Sequence, residues 1–177
     1  DDYVTFKNNY NLNSPFSIEA WIKPNATTGT IFSRRDNAIP TAGYDLSLSG
    51  GSLVFNYGSG SISTANIINT SRWFHVAVTF DGTAYRLYVD GVPIVDPVTG
   101  GAVTGGAPQT TPNNIEAILG ALDQAPSDGD PVNYYTGWMD EFRVWNRALS
   151  VHHIRQMMNQ EIKKTDEDLI VNGNVNG

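Results

Sequence analysis

Asp140 makes the sharpest chemical demand of any residue in this sequence. It stands in the run Trp138-Met139-Asp140-Glu141-Phe142-Arg143-Val144-Trp145. A period-two reading puts Trp138, Asp140, Phe142 and Val144 on one strand face and Met139, Glu141, Arg143 and Trp145 on the other. A carboxylate among three large apolar side chains needs hydrogen bonds, a cation or a metal to offset its desolvation. Two readings stay open: an Asp140 bonded to backbone or paired with arginine, and a metal ligand. The segment from Leu122 to Asn133 is also rich in oxygen donors, with Asp123, Asp128 and Asp130 beside Gln124. His75 lies inside a clean strand alternation, where a lone histidine reads as a packed, hydrogen-bonded residue. His152 and His153 fall in a terminal helix and read as surface groups.

Composition bounds what such residues can serve. The 177 residues are 40% hydrophobic and 11% aromatic, enough for a real core in one domain. Seventeen glycines and nine prolines among many Thr, Val and Tyr residues point to short strands and frequent turns. A net charge of −7 argues against nucleic-acid backbones and anionic membranes as partners, and leaves cations and neutral ligands such as glycans. No cysteine is present, so disulfides contribute nothing to stability. No apolar run is long enough for a membrane segment.

The elements that position these residues are strands. Phe16 to Lys23 alternates, with Phe16, Ile18, Ala20 and Ile22 on one face and Glu19, Trp21 and Lys23 on the other, and Pro24 stops it. Tyr44–Leu48 and Leu53–Tyr57 form a hairpin across Gly50-Gly51. Arg72–Phe80, Ala84–Val89 and Val92–Val95 are joined by Asp81-Gly82 and Asp90-Gly91, pairs that tolerate the positive φ of tight hairpins. Tyr3–Phe6, Thr30–Ser33, Ile62–Ile68 and Asn114–Gly120 complete the strands, and Asp96 to Asn113 reads as a surface loop. Ser150 caps a short amphipathic helix with Ile154, Met157 and Met158 on its apolar side. About a dozen short strands and one terminal helix make an all-β, two-sheet antiparallel sandwich. The domain is expected over residues 1–162. Residues 163–177 read as a linker or the start of a following module in a larger multidomain chain.

Four runs in this order carry a resemblance: Phe16 to Pro24, Trp73 to Gly82, Leu87 to Gly91, and Gly137 to Ser150. They resemble the laminin G-like and pentraxin-like jelly rolls of the concanavalin A-like lectin/glucanase superfamily, over about residues 1 to 160. The resemblance implies a jelly-roll sandwich of concanavalin A type, and an extracellular or cell-surface location. It also implies a structural calcium on the outer side of the sandwich, held by an acidic residue near the first strand (Asp1 or Asp2) and by Asp140. Calcium suits such a site because it accepts carboxylate and carbonyl oxygens in flexible geometry. A second, rim calcium is implied by two loops: Asp36-Asn37 after the Ile31-Phe32-Ser33 strand, and Asp123, Gln124, Asp128 and Asp130 after Leu119-Gly120.

Catalysis is not expected. Glycoside hydrolases place paired carboxylates at set separations, and a Glu-x-Asp-x-x-Glu cluster is absent; Glu19 is alone in its strand, and Asp140 and Glu141 are neighbours that point to opposite faces. Two non-catalytic readings remain. The first is a calcium-dependent carbohydrate-binding or ligand-binding module, with Tyr44, Tyr57, Tyr134 and Tyr135 as stacking surfaces and a glycan or other cell-surface ligand as partner. The second is a structural or adhesive spacer with calcium only for stability.

Overall fold

A computed structural model describes residues 2–35, 42–94, 103–108, 115–123 and 131–160, together with the backbone of 169–175. Among the described residues the chain forms thirteen strands and one helix. In order they are β1 (Val4–Thr5), β2 (Phe16–Pro24), β3 (Gly29–Arg34), β4 (Tyr44–Ser49), β5 (Ser52–Tyr57), β6 (Gly60–Ser63), β7 (Phe74–Phe80), β8 (Ala84–Val89), β9 (Val92–Ile94), β10 (Val103–Thr104), β11 (Ile118–Leu119), β12 (Gly137–Trp145), α1 (Val151–Met157) and β13 (Leu169–Val175). One antiparallel sheet runs β1-β11-β3-β4-β5-β6. The other runs β10-β8-β7-β2-β12-β13, with β9 on β8. The two face each other as a jelly-roll sandwich.

Alternation fills the space between them. Phe16, Ile18, Ala20 and Ile22 of β2 meet Leu46, Leu48, Leu53 and Phe55 of the facing hairpin, all at 3% exposure or less. The hairpins are set by turn chemistry. Asp90 and Gly91 both take positive φ, at 52° and 69°, the geometry whose twist matches that of paired strands. The Asp90 carboxylate also accepts from the His75 N–H (3.0 Å) and from Arg72 Nη2 (2.8 Å).

Helix α1 explains why β7 is buried on both faces. Ser150 caps the helix, its hydroxyl accepting from the His153 N–H. Ile154 then packs with Trp145, Leu149, Ala77 and Tyr88 in a cluster separate from the main core. Beneath it lies a buried polar network. Glu19 is fully buried, and its carboxylate meets Trp145 Nε1 at 3.0 Å, Arg143 Nη1 at 3.5 Å and His75 Nε2 at 3.4 Å. Arg143 also pairs with Glu141 and donates to the carbonyls of Met157 (3.0 Å) and Gln160 (2.8 Å). The Trp21 indole donates to the Met158 carbonyl at 2.6 Å. The open carbonyls of the helix C-terminus are thereby satisfied from the sheet.

Several strand boundaries differ from the sequence reading. The expected strand Ile62–Ile68 ends at Ser63, and Asn114–Gly120 contracts to Ile118–Leu119. Within the expected surface loop 96–113, Val103–Thr104 pairs with β8. The backbone of Leu169–Val175 pairs with β12, where a linker or following module was expected. That strand covers an edge which would otherwise expose a row of unpaired backbone groups.

Candidate functional site

The outer face of the β3-β4-β5 region carries a groove of about 590 Å³. Its floor follows from strand alternation. Tyr44, Leu46 and Leu48 point inward, so Asp45, Ser47 and Ser49 point outward. The two-residue Gly50-Gly51 turn fixes the register that sets Asp45 opposite Asn56 and Ser47 opposite Val54. Asp45 Oδ2 accepts from Asn56 Nδ2 and from Ser47 Oγ, each at 2.9 Å, and Oδ1 lies 3.6 Å from Arg35 Nε. The residue is only 6% exposed. Burial raises its pKa above the usual aspartate value, opposed by the Asn56 hydrogen bond, the Arg35 charge and the Ser47 hydroxyl.

The facing wall comes from a distant stretch of chain. Leu122 and Val132 exchange backbone hydrogen bonds at 2.9 and 2.8 Å, closing the base of the segment between them. Asn133 then takes φ 52°, and its carbonyl accepts from the Thr30 N–H at 2.8 Å. Gly29 permits this approach. A Cβ there would lie 2.6 Å from the Tyr134 carbonyl oxygen, and its φ of 138° disfavours any other residue. Tyr134 is half-buried on the groove wall, its ring centroid 6.2 Å from that of Tyr3. The groove thus offers a buried carboxylate, an arginine, hydroxyl and amide groups and one aromatic side chain. Such a set can exchange hydrogen bonds with a polyol and pack one ring face. Among the described residues lining it, Asp45 is the single carboxylate.

Tyr134 lines this groove, as a ligand-contacting residue must. Arg35 and Leu122, which immediately precede the Asp36-Asn37 pair and Asp123, line it too. Asp36, Asn37, Gln124, Asp128 and Asp130 lie outside the described residues. Asp123 is half-buried, and its Oδ2 accepts from the Glu116 N–H at 3.0 Å. Tyr44 leaves the candidate ligand set. It is 1% exposed, its hydroxyl donates to the Tyr10 carbonyl at 2.9 Å, and its ring packs among Phe16, Phe32 and Phe55.

Asp140 requires a correction. The register between β12 and β2 breaks between Asp140 and Arg143, where Glu141 takes φ 52°. This bulge shifts the alternation by one residue. Met139, Phe142 and Val144 face the core, while Trp138 is 44% exposed and Asp140 is half-buried outside it. Asp140 Oδ1 accepts from the Glu141 N–H at 2.7 Å, so its carboxylate has a local partner. Asp2 is exposed, with its backbone carbonyl beside Gly120. Among the described residues no three His, Asp or Glu side chains gather to hold a metal ion.

Asp45, Ser47, Asn56 and Arg35 were not picked out in the sequence, although the signal was there. Once the hairpin over Gly50-Gly51 is read, alternation turns Asp45 outward and the turn length pairs it with Asn56. What the sequence does not show is the wall at 133–134 that makes an ordinary polar sheet face into a groove.

Comparison with known proteins agrees with this architecture. The family model of the concanavalin A-like lectin/glucanases superfamily matches residues 1–155. A Rattus norvegicus protein, "Sushi, von Willebrand factor type A, EGF and pentraxin domain-containing protein 1", is 24% identical over 110 residues, which are 60% of this chain and 3% of that protein. The chain thus spans a very small part of the curated relative it matches. A candidate carbohydrate binding protein from Bacteroides ovatus shares the fold with TM-score 0.74 and 19% identity, over 98% of this chain and 49% of that one. Domain 4 of the extracellular arabinanase AbnA from Geobacillus stearothermophilus, solved with arabinotriose, shares it with TM-score 0.62 and 22% identity, over 87% and 71% of the two chains. At these identities the likeness is one of fold.

Proposed function

The chain belongs to the concanavalin A-like lectin/glucanases superfamily, and on that premise we propose that it is a non-catalytic carbohydrate-binding module of a larger secreted or cell-surface protein. The observation that carries this reading is the groove itself. Asp45 is held at its floor by Asn56, Ser47 and Arg35, facing the half-buried Tyr134. Carboxylate and amide oxygens accept from sugar hydroxyls, Arg35 and the Asn56 amide donate to them, and the Tyr134 ring takes the apolar face of a pyranose or furanose. The arabinotriose-bound AbnA domain and the Bacteroides ovatus protein lend support, since the same sandwich carries saccharide ligands or is assigned to do so. We read the groove as one for binding: among the described residues lining it Asp45 is the single carboxylate, whereas hydrolysis uses a pair.

Calcium belongs to this reading at the rim. Asp123, Gln124, Asp128 and Asp130, together with Asp36 and Asn37, are the donors we assign to it, with Asp2 and Asp140 as the pair for a separate structural ion. The convergence of Arg35 and Leu122 on one groove supports the first assignment. No described helix is long and apolar enough to cross a membrane, and the partner is taken to be a glycan or other cell-surface ligand.

The test is titration calorimetry of arabino-oligosaccharides and a wider glycan array, with calcium and with chelator, on the wild type, Asn56→Ala and Tyr134→Ala. Binding that both substitutions weaken supports the groove. Binding that neither affects, or an array with no hits in either condition, removes the reading in favour of a spacer domain.

A further inference from the structure

The outer face of the second sheet holds a different arrangement, on the side of the sandwich away from the groove. Helix α1 and its C-terminal turn cover this face as far as the row containing Trp21 and His75, where the Trp21 indole donates to the Met158 carbonyl. The next cross-strand row is left open by the described residues. Trp138 of β12 pairs with Lys23 of β2. On the other side, the register Ile22↔Phe74 places Trp73 across from Lys23 by one further step. Met139, Ile22 and Phe74 point into the core, so their neighbours Trp138, Lys23 and Trp73 share the outer face. Both tryptophans are exposed, at 44% and 37%, an unusual placement for the largest apolar side chain. They stand two strand spacings apart, about 9.6 Å. Lys23 lies between them, its Nζ 5.3 Å from the Trp138 ring centroid, and it forms no ion pair among the described residues.

We propose that Trp138, Lys23 and Trp73 form a second binding site, a platform for an extended acidic polysaccharide whose sugar rings lie on the two indoles and whose carboxylate meets Lys23. The C–H face of a pyranose is apolar and slightly positive, which suits the negative face of an indole. Two indoles separated by two strand spacings receive two rings of one extended chain and leave the unit between them above Lys23. The charge of that unit follows from the lysine. In a protein of net charge −7, a cation set over the Trp138 ring and without a carboxylate partner among the described residues favours an anionic group over a neutral one. A uronate supplies that group on the same chain that supplies the rings.

The experiment compares polygalacturonate and polymannuronate with their methyl esters, which keep the chain and remove the charge, by affinity electrophoresis and calorimetry on the full chain. The wild type binds at least one acid polymer, and binds its ester about tenfold less well or weaker. Trp73→Ala and Trp138→Ala each weaken acid-polymer binding by about tenfold or more, as truncating a central interface aromatic does. Lys23→Gln removes the preference for acid over ester. All three variants alter exposed or half-buried positions and keep the wild-type melting temperature within a few degrees, which separates lost binding from lost fold. Tyr134→Ala leaves this binding unchanged, which separates the platform from the groove. Three binding results overturn the proposal: no binding of either acid polymer, equal binding of acid and ester, or binding indifferent to both tryptophan variants. A monomer–dimer equilibrium abolished by Trp138→Ala assigns the row to self-association and also overturns it.

Discussion

The indole N–H of Trp145 donates to the Glu19 carboxylate at 3.0 Å, with both side chains fully buried. Glu19 therefore sits where sheet, helix and a second charge, Arg143, meet. Glu19→Gln leaves the Arg143 guanidinium with the partly exposed Glu141 as its one carboxylate partner among the described residues. A loss of about 3 kcal/mol is expected, the lower end for breaking a buried pair. Trp145→Phe removes the nearer of two donors to Glu19 Oε1, leaving Arg143 Nη1 at 3.5 Å, and costs about 1–3 kcal/mol. Because the two residues share one bond, the double variant loses less than the sum. Urea unfolding of the four proteins measures this, and strict additivity would contradict a shared network.

Ile154 anchors a helix of seven residues, too short to persist without packing. Ile154→Ala should cost about 2–5 kcal/mol and loosen α1 before the sandwich unfolds. Hydrogen exchange checks this. Amides of 154–158 are expected to lose protection while those of β4 and β5 keep theirs.

Asp45 gives the groove a pH signature. Its pKa is raised on folding, chiefly by burial, so the folded state binds the proton more tightly than the unfolded chain. The native state holds more protons across the window from the ordinary aspartate value up to the raised one, and stability falls as pH rises through it. Asp45→Asn keeps acceptors for Asn56 and Ser47 and removes the desolvated charge. The variant should melt higher than wild type at neutral pH, and the gap should close as pH falls below about 4, the unfolded aspartate value. A gap independent of pH would show that the carboxylate does not titrate in this way.

Calcium is expected to raise the melting temperature by mass action, by about 2.7 kcal/mol of stability at one hundred times its Kd. The double variant Asp128→Asn and Asp130→Asn should lose the rim component of this shift, and Asp140→Ala the structural component. A melt identical in calcium and in chelator would remove both ions from the account.

Strand alternation made the fold legible in the sequence. Phe16 to Ile22 alternates cleanly, the Asp-Gly pairs punctuate the second sheet, and Ser150 announces its helix. Trp145 and Ile154 could be placed outside the main core from their positions alone. The face of Asp140 could not be read, because one extra residue at Glu141, in left-handed conformation, shifts the period and no local signal marks a bulge at a glutamate. The groove was half legible. Its floor is a property of one hairpin, but its wall depends on Gly29 meeting Tyr134, a contact across more than a hundred residues that periodicity does not encode. The strand at Leu169–Val175 was hidden by its Asn- and Gly-rich composition.

The pairing of β2 with β12 sets the order in which this chain can mature. Glu19 and Arg143 are separated by 124 positions, yet they stand in adjacent strands at the centre of one sheet. β7 can join one edge of β2 well before β12 is made, but the other edge of β2 waits more than a hundred residues for its partner. Local hairpins such as β4-β5 and β7-β8 need no distant partner, whereas closing β12 onto β2 is a long-range step of the kind that slows β topologies. Until then Phe16, Ile18 and Ile22 have no finished core to enter. The row of Trp73, Lys23 and Trp138 is therefore assembled only when β12 docks on β2, after every other described strand of that sheet but β13 has been made.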